Sequence, residues 1–184
     1  MSKKIIILNG SPRAKGNTET LVDNFIEGAK ESGHNIKKFN LREMNIRPCI
    51  GCLQGGKSKE SPCVQKDDMD KIYEAFKESD IFVMASPMYY WNFTAQLKAA
   101  IDRLFAVTEA NGYQTPYKEC IMIMAAEDDS ESNFAPIINY YHSMLGHLGW
   151  KDKGMILAGG VMQVGDIEGK PSLTEARALG AAIK

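Results

Sequence analysis

Short, fully apolar runs alternate along the chain with longer segments of helical periodicity. Four runs, at 5–8, 80–86, 119–126 and 155–158, carry almost no polar interruption. The first three runs are typical of strands that are buried in a parallel sheet, the first of them on both faces, and the fourth predicts the last strand. A fifth segment, 35–41, alternates polar and apolar residues, which predicts an edge strand.

Between these strands, apolar residues recur every three or four positions. This spacing predicts five helices, covering 17–32, starting near 67, and carrying apolar residues over 93–104, 134–148 and 173–183. Alternating strands and helices favour an α/β fold, a three-layer doubly wound parallel sheet of five strands in the order 2-1-3-4-5. We expect residues 1–184 to form a single domain with its switch point between the first and third strands.

The loop after the first strand, from Gly10 to Thr18, has the composition of an anion site. Its glycines allow close backbone approach, and it leads into a helix N-terminus, where free N–H groups attract anions. It contains short polar side chains and positive charge but no acidic residue: Ser11, Arg13, Lys15, Asn17 and Thr18. The alternative is a plain turn before a helix capped by Asn17 or Thr18.

Two common phosphate motifs do not fit this loop. Five residues, rather than four, separate Gly10 from Gly16, and Asn17 stands where a P-loop has lysine. The loop also lacks the G-x-G-x-x-G pattern of dinucleotide sites. A single terminal phosphate, as in flavin mononucleotide (FMN), fits what remains.

A second loop, Ser86–Asn92, follows the third strand and is rich in aromatic residues. At the switch point it would lie beside the phosphate loop, where a flat ring needs an apolar wall with polar groups at its edge. The alternative is that these aromatics close the core or a dimer interface.

The motifs Gly10-Ser11-Pro12-Arg13-x-x-Gly16-Asn17-Thr18 and Ser86-Pro87-Met88-Tyr89-Tyr90, continued by Gln96-Leu97-Lys98 and Ile101-Asp102-Arg103, resemble the flavodoxin-like NAD(P)H-dependent FMN reductase family, in particular its iron–sulfur flavoprotein-like branch. The resemblance implies that the first loop holds the FMN phosphate and that the second borders the isoalloxazine ring. It also suggests a structural ion pair between Asp102 and Arg103. The implied cofactor residues are Ser11, Arg13, Gly16, Asn17 and Thr18, with Pro87, Met88, Tyr89, Tyr90, Trp91 and Asn92.

In the iron–sulfur branch, four clustered cysteines follow the spacing C-x2-C-x2-C-x4–7-C. This chain has Cys49, Cys52 and Cys63, but Gly55 stands at the third position. With one ligand missing, a [4Fe–4S] cluster is disfavoured. An inert remnant, a Cys49–Cys52 redox pair and a zinc site with an incomplete ligand set remain open.

Composition bounds the function further. The net charge of −1 gives no support for binding to nucleic acid or to an anionic membrane, and no apolar run reaches a transmembrane length. We therefore expect a cytoplasmic oxidoreductase that uses FMN, takes electrons from NAD(P)H and passes them to a quinone, nitro compound, flavin or protein acceptor. A flavodoxin-type electron carrier and a flavin-free binding module are the alternatives.

Two further segments attract attention. Glu127-Asp128-Asp129 forms an acidic turn after the fourth strand, either near the flavin or as a solvated start to the next helix. Residues 106–117 look like a surface excursion. We expect a homodimer or higher homo-oligomer, with Tyr90 and Trp91 at its interface.

Overall fold

The computed structural model describes residues 1–56 and 58–184, and a parallel five-stranded sheet forms its centre. The strand order is β2-β1-β3-β4-β5, as predicted. The strands are β1 (Lys4–Asn9), β2 (Asn35–Asn40), β3 (Ile81–Pro87), β4 (Glu119–Ala125) and β5 (Lys151–Ala158).

Helices cover both faces of this sheet. They are α1 (Asn17–Glu31), α2 (Met69–Glu78), α3 (Ala95–Arg103), α4 (Phe105–Ala110), α5 (Glu131–Leu148) and α6 (Pro171–Ala181). The predicted third helix thus ends at Arg103, close to its predicted end, and a further short helix, α4, leads into the segment expected to be a surface excursion. No helix in the described ranges is long and apolar enough to cross a membrane.

Alternate residues of each central strand pack into two separate hydrophobic cores, one on each face of the sheet. On β1, Ile5 and Ile7 point to the layer of α1 and α6, whereas Ile6 and Leu8 pack in the layer that includes α2, α3 and α5. All four side chains are at most 2% exposed. The predicted burial on both faces therefore holds, and this two-sided burial fixes the register of the strand.

Two glycines bring α1 and α6 into close contact. A Cβ atom on Gly28 would lie 2.0 Å from the Arg177 carbonyl oxygen, and one on Gly180 would lie 2.2 Å from that of Phe25. A larger residue at either position would force the helices apart. The connection from β5 to α6, residues 159–170, starts at the carboxyl edge of the sheet.

Candidate functional site

A cleft of about 220 Å³ opens at the carboxyl edge of the sheet, beside the switch point. The two predicted loops meet there, together with the ends of β4 and β5. The cleft brings together eight of the sequence-predicted residues with six others: Ser11, Arg13, Gly16, Asn17, Thr18, Pro87, Met88 and Tyr89, with Pro12, Ala125, Ala126, Glu127, Val161 and Met162.

The half of the cleft that the Gly10–Thr18 loop forms ends at the N-terminus of α1, which has no side-chain cap in the described residues. Gly16, not Asn17 or Thr18, is the N-cap residue of α1, and no side chain caps it in the described part of the chain. The first N–H groups of a helix have no intrahelical partner. The alternative interpretation, a helix capped by Asn17 or Thr18, is therefore wrong.

Polar contacts hold the loop backbone in shape. Asn9, at the end of β1, accepts a hydrogen bond from Ser11 N–H at 3.1 Å through its Oδ1. Lys15 has a positive φ of 55°, and its N–H donates to Glu19 Oε2 at 2.6 Å. Glu19 therefore serves the loop backbone as an acceptor.

The charge of Glu19 is compensated away from the cleft. Burial alone would raise its pKa, but the Lys15 N–H and the nearby Arg42 and Lys38 outweigh burial and lower it. Arg42 and Lys38 lie 3.3 Å and 3.5 Å from its carboxylate. The carboxylate can thus lie in the first turn of α1 without opposing an anion at the helix N-terminus.

A third wall of the cleft comes from the connection after β5, which sequence reasoning did not include. Arg13 Nη1 donates to the Met162 carbonyl at 2.6 Å, and Asn17 Nδ2 donates to the Gln163 carbonyl at 2.8 Å. Asp166 accepts from the N–H groups of both Met162 and Gln163, and these bonds lower its pKa. The signal was available, because the ends of all parallel strands meet at one edge and this connection is rich in glycine.

The aromatic loop forms a β-hairpin with a two-residue turn. Tyr89 and Asn92 exchange two backbone hydrogen bonds, of 3.0 and 3.1 Å, and both central residues have positive φ, 48° at Tyr90 and 59° at Trp91. This is the conformation of a type I′ turn, which costs a non-glycine residue about 1–2 kcal/mol. The turn leaves Tyr90 95% exposed at its tip.

The hydrogen bonds of the hairpin also determine which of its backbone N–H groups remain available to a ligand. Met88 N–H donates to Ala125 O at 2.8 Å, so this N–H and those of Tyr89 and Asn92 are used within the protein. Asn92 lies outside the cleft, and its Oδ1 accepts from Phe93 N–H. The expected contribution of Asn92 to a ring edge therefore has no support in this geometry.

A shallow groove of about 590 Å³ continues from the cleft past the hairpin. It shares Met88, Ala126 and Glu127 with the cleft and is otherwise lined by Tyr90, Trp91, Asp128 and Asn133. Trp91 Nε1 donates to Asn133 Oδ1 at 2.8 Å, which ties the hairpin to α5. Asp128 Oδ1 accepts from Ser130 N–H at the start of α5, so the acidic turn both orders that helix and borders the groove.

One buried hydroxyl joins the two predicted loops. Thr94 Oγ1 donates to the Gly10 carbonyl at 2.8 Å and is also the N-cap acceptor of α3. Ser86 Oγ accepts from Thr94 N–H at 3.0 Å. Gly10 is required here, because a Cβ atom would lie 2.6 Å from Thr94 Oγ1.

Three of the four cysteines lie in a separate segment, residues 48–66, called here the cysteine segment, and the fourth, Cys120, is buried in β4. Arg103 anchors both of its ends, donating to the carbonyls of Arg47 at 2.8 Å and Gln65 at 3.3 Å. The ion-pair partner of Arg103 is Asp67, at 2.8 Å, and both side chains are 1% exposed. The expected pairing of Asp102 with Arg103 is wrong, because Asp102 accepts instead from Lys98, one turn earlier on the exposed face of α3.

A parallel sheet in this order with a cleft at the switch point defines the flavodoxin-like class of α/β proteins. A sequence profile described as NADPH-dependent FMN reductase matches residues 3–132. The chain belongs to this family, and FMN is the cofactor.

Similarity to curated proteins places the chain near the iron–sulfur branch. An iron-sulfur flavoprotein of Archaeoglobus fulgidus is 31% identical over 98% of the chain and 78% of its own length. Others, from Methanocaldococcus jannaschii and Methanosarcina thermophila, are 37% and 36% identical over 54% and 59% of the chain. The matched region spans about half of these two relatives, 51% and 56% of their length.

Solved structures support the fold. An NAD(P)H:quinone oxidoreductase from Methanothermobacter marburgensis covers 100% of both chains with a TM-score of 0.75 and 20% identity. An FMN-dependent NADH-azoreductase from Bacillus anthracis, determined in complex with FMN, covers 96% of this chain and 97% of its own, with a TM-score of 0.68 and 15% identity.

Proposed function

We propose that the cleft holds FMN with its phosphate on the Gly10–Thr18 loop and its ring against Pro87, Met88 and Tyr89. The observation that carries this proposal is the uncapped N-terminus of α1, which opens into the cleft beside the one arginine that lines it. Helix N-termini bind phosphate through free N–H groups and the helix dipole. Ser11, Arg13 and Thr18 add side-chain donors around the same point.

An unpartnered atom fits the next part of the cofactor. Asn17 Oδ1 is buried and has no hydrogen-bond partner in the described residues. An amide oxygen accepts hydrogen bonds but cannot donate to a phosphate. A hydroxyl of the sugar-alcohol chain next to the phosphate would supply the missing donor, so the orphaned acceptor agrees with a ribityl phosphate better than with inorganic phosphate alone.

At the ring end, the chain contributes position and shielding. Pro87, Met88 and Tyr89 provide apolar surface, and the tight hairpin fixes their direction. When bound, FMN supplies the redox chemistry, accepting a hydride from NAD(P)H and returning the electrons to an acceptor. The N–H groups of Tyr90 and Trp91 remain unused within the described hairpin and are the available donors for a polar ring edge.

The adjoining groove is where we place the nicotinamide and, after it leaves, a small-molecule acceptor such as a quinone, an azo compound or a nitro compound. This groove is continuous with the cleft through Met88, Ala126 and Glu127. It is open along one side, which suits an exchange of donor and acceptor at the same position.

Two measurements on the purified protein test this function. Reconstitution with FMN should give a bound flavin absorption spectrum, and anaerobic mixing with NADPH or NADH should bleach it rapidly. A protein that binds no FMN would contradict the site. A protein that binds FMN but is not bleached faster than free FMN would be an electron carrier instead of a reductase.

A further inference from the structure

The cysteine segment departs from what the name of the iron-sulfur relatives implies. A [4Fe–4S] cluster is held by four thiolates. This segment offers Cys49, Cys52 and Cys63, and Gly55 stands at the position of the remaining ligand in the C-x2-C-x2-C frame. The described geometry of these residues shows how the segment is held instead.

The three cysteines lie in three different environments. Cys49 is exposed, and its Sγ accepts from Gly51 N–H at 3.5 Å. Cys52 is half-buried, whereas Cys63 is buried in the core. Across residues 1–56 and 58–184, no three histidine, cysteine or acidic side chains are gathered as a metal site.

A carboxylate occupies the place where the missing ligand would begin. Glu109, on α4, accepts from Gly55 N–H at 3.1 Å through Oε2. A Cβ atom on Gly55 would lie 2.1 Å from that same oxygen. A cysteine at this position would displace the carboxylate and break its hydrogen bond, and the negative charge beside it would oppose a cluster of thiolates.

The neighbouring backbone is closed around this contact. Gly56 has φ of 79°, and its N–H donates to the Pro62 carbonyl at 2.8 Å. A Cβ atom on Gly56 would lie 2.9 Å from Ala110 N, so this part of the segment is packed directly on the end of α4. The segment therefore contacts α4 directly at both Gly55 and Gly56.

We propose that the cysteine segment is built without a cluster, and that Glu109, bound to Gly55, replaces the missing ligand as the contact that holds the segment on α4. The consequence for electron flow rests on the proposed FMN site. A bound flavin would pass its electrons directly to an acceptor in the groove beside the hairpin, with no cluster as an internal carrier among the described residues of the cysteine segment.

The primary test measures metal, not turnover. Protein purified anaerobically and incubated with ferrous iron and sulfide is assayed for iron and acid-labile sulfide per chain. We expect substoichiometric iron that is unchanged in a Cys49→Ser/Cys52→Ser variant. Binding of about four iron atoms per chain that is lost in this variant would overturn the proposal.

A gain-of-ligand pair tests the role assigned to Gly55 and Glu109. The Gly55→Cys/Glu109→Ala variant restores the fourth thiolate and removes the carboxylate that opposes it. The matched control is Gly55→Ser/Glu109→Ala, which has a side chain of nearly the same size without a thiolate. Iron uptake by the cysteine variant alone is expected; equal uptake by both, or none by a folded cysteine variant, would contradict the assignment.

Flavin measurements keep this inference separate from the proposed function. FMN content and bleaching by NADPH are recorded on the same samples. Absence of both iron and FMN would refute the flavin site but support the assignment of the segment. Bound FMN together with about four iron atoms per chain would support the flavin site and refute the assignment of the segment. Quinone turnover by the Cys49→Ser/Cys52→Ser variant should equal that of the wild type.

Discussion

Arg13 is the residue whose loss should separate cofactor binding from folding. Its side chain is exposed and reaches across the cleft mouth to the Met162 carbonyl. A guanidinium has five N–H donors, so it can keep this contact and still bind a phosphate. We expect Arg13→Ala to weaken FMN binding about tenfold or more, the value of one charged hydrogen bond, with little change in thermal unfolding.

Lys15 provides the matched control, because it is a basic residue of the same loop that does not line the cleft. Lys15→Gln should leave FMN affinity nearly unchanged in a fluorescence titration. Equal losses in the two variants would mean that only the general positive charge of the loop matters. An unchanged affinity in Arg13→Ala would limit the phosphate contacts to the backbone and hydroxyl groups.

Lys118 is an unusual buried cation at the opposite edge of the sheet. It is 2% exposed, donates to the Ser79 carbonyl, and lies 4.8 Å from the centre of the Phe76 ring. Burial lowers its pKa to about 8, although Asp80 and Cys120 act in the opposite direction. In the unfolded chain a lysine titrates near 10.4.

This difference predicts a pH-dependent stability. Between about pH 8 and 10.4 the unfolded state binds a proton that the native state does not, so stability from this group rises with pH. Relative to Lys118→Met, the free energy of unfolding of the wild type should increase by up to about 3 kcal/mol across this window. A difference in the free energy of unfolding between the two proteins that stays constant from pH 7 to 11 would contradict a lowered pKa of Lys118.

At the scale of elements, Thr94 connects the Gly10–Thr18 loop to the start of α3 through its hydroxyl group. Thr94→Val removes the N-cap and the bond to the Gly10 carbonyl, so we expect a loss of about 1–2 kcal/mol of stability and weaker FMN binding. Thr94→Ser keeps the hydroxyl and should retain most of both. Chemical denaturation and FMN titration measure the two effects. A larger loss in Thr94→Ser than in Thr94→Val would mean that the methyl group, not the hydroxyl, is responsible.

The third wall of the cleft should depend on Asp166, which orders Met162 and Gln163 through their N–H groups. Asp166→Ala frees these groups and loosens the wall, so FMN should dissociate several times faster, about what one lost hydrogen bond predicts. Glu168→Ala changes an exposed acidic residue of the same connection and is the control. Identical dissociation rates in stopped-flow fluorescence would show that the wall does not retain the cofactor.

The elements that sequence patterns predicted well were those whose burial is uniform. β1, β3 and β4 are apolar on both faces, and their positions and order follow from this. β5 begins at Lys151, four residues before the predicted run, because its first residues are polar and pair with β4 at the sheet edge. Hydrophobic periodicity does not detect such backbone pairing, and it did not predict the short helix α4.

The candidate site was predictable only in part, for a related reason. Composition identified the two loops, but contacts such as those of Thr94 with Gly10 and of Glu109 with Gly55 join residues distant in sequence. A threonine before a helix predicts an N-cap but not the second partner of its hydroxyl, and a single glutamate on a helix carries no pattern of its own. The glycine-rich connection after β5 could be placed at the same edge of the sheet, but the residues that form the wall could not be predicted, because they contribute backbone carbonyl groups.

At the scale of the whole molecule, the exposed aromatic residues predict self-association. Tyr90 is 95% and Trp91 54% exposed on the hairpin, and Phe105 and Tyr113 are 44% and 69% exposed on α4 and the residues after it. Large exposed aromatic side chains are typical of interfaces. We expect sedimentation at twice the mass of the chain, shifted toward the monomer by Tyr90→Ser; a wild-type monomer at micromolar concentration would contradict this.

The anchoring of residues 48–66 by Arg103 has a consequence for how such proteins diversify. One guanidinium holds the carbonyl groups at both joints of the segment, next to the buried carboxylate of Asp67. The ends of the segment thus stay together whatever chain connects them, and the entropy cost of a longer or shorter connection is small. We therefore expect that this segment can be exchanged for one of another length or metal content while the sheet and the proposed FMN cleft keep their structure.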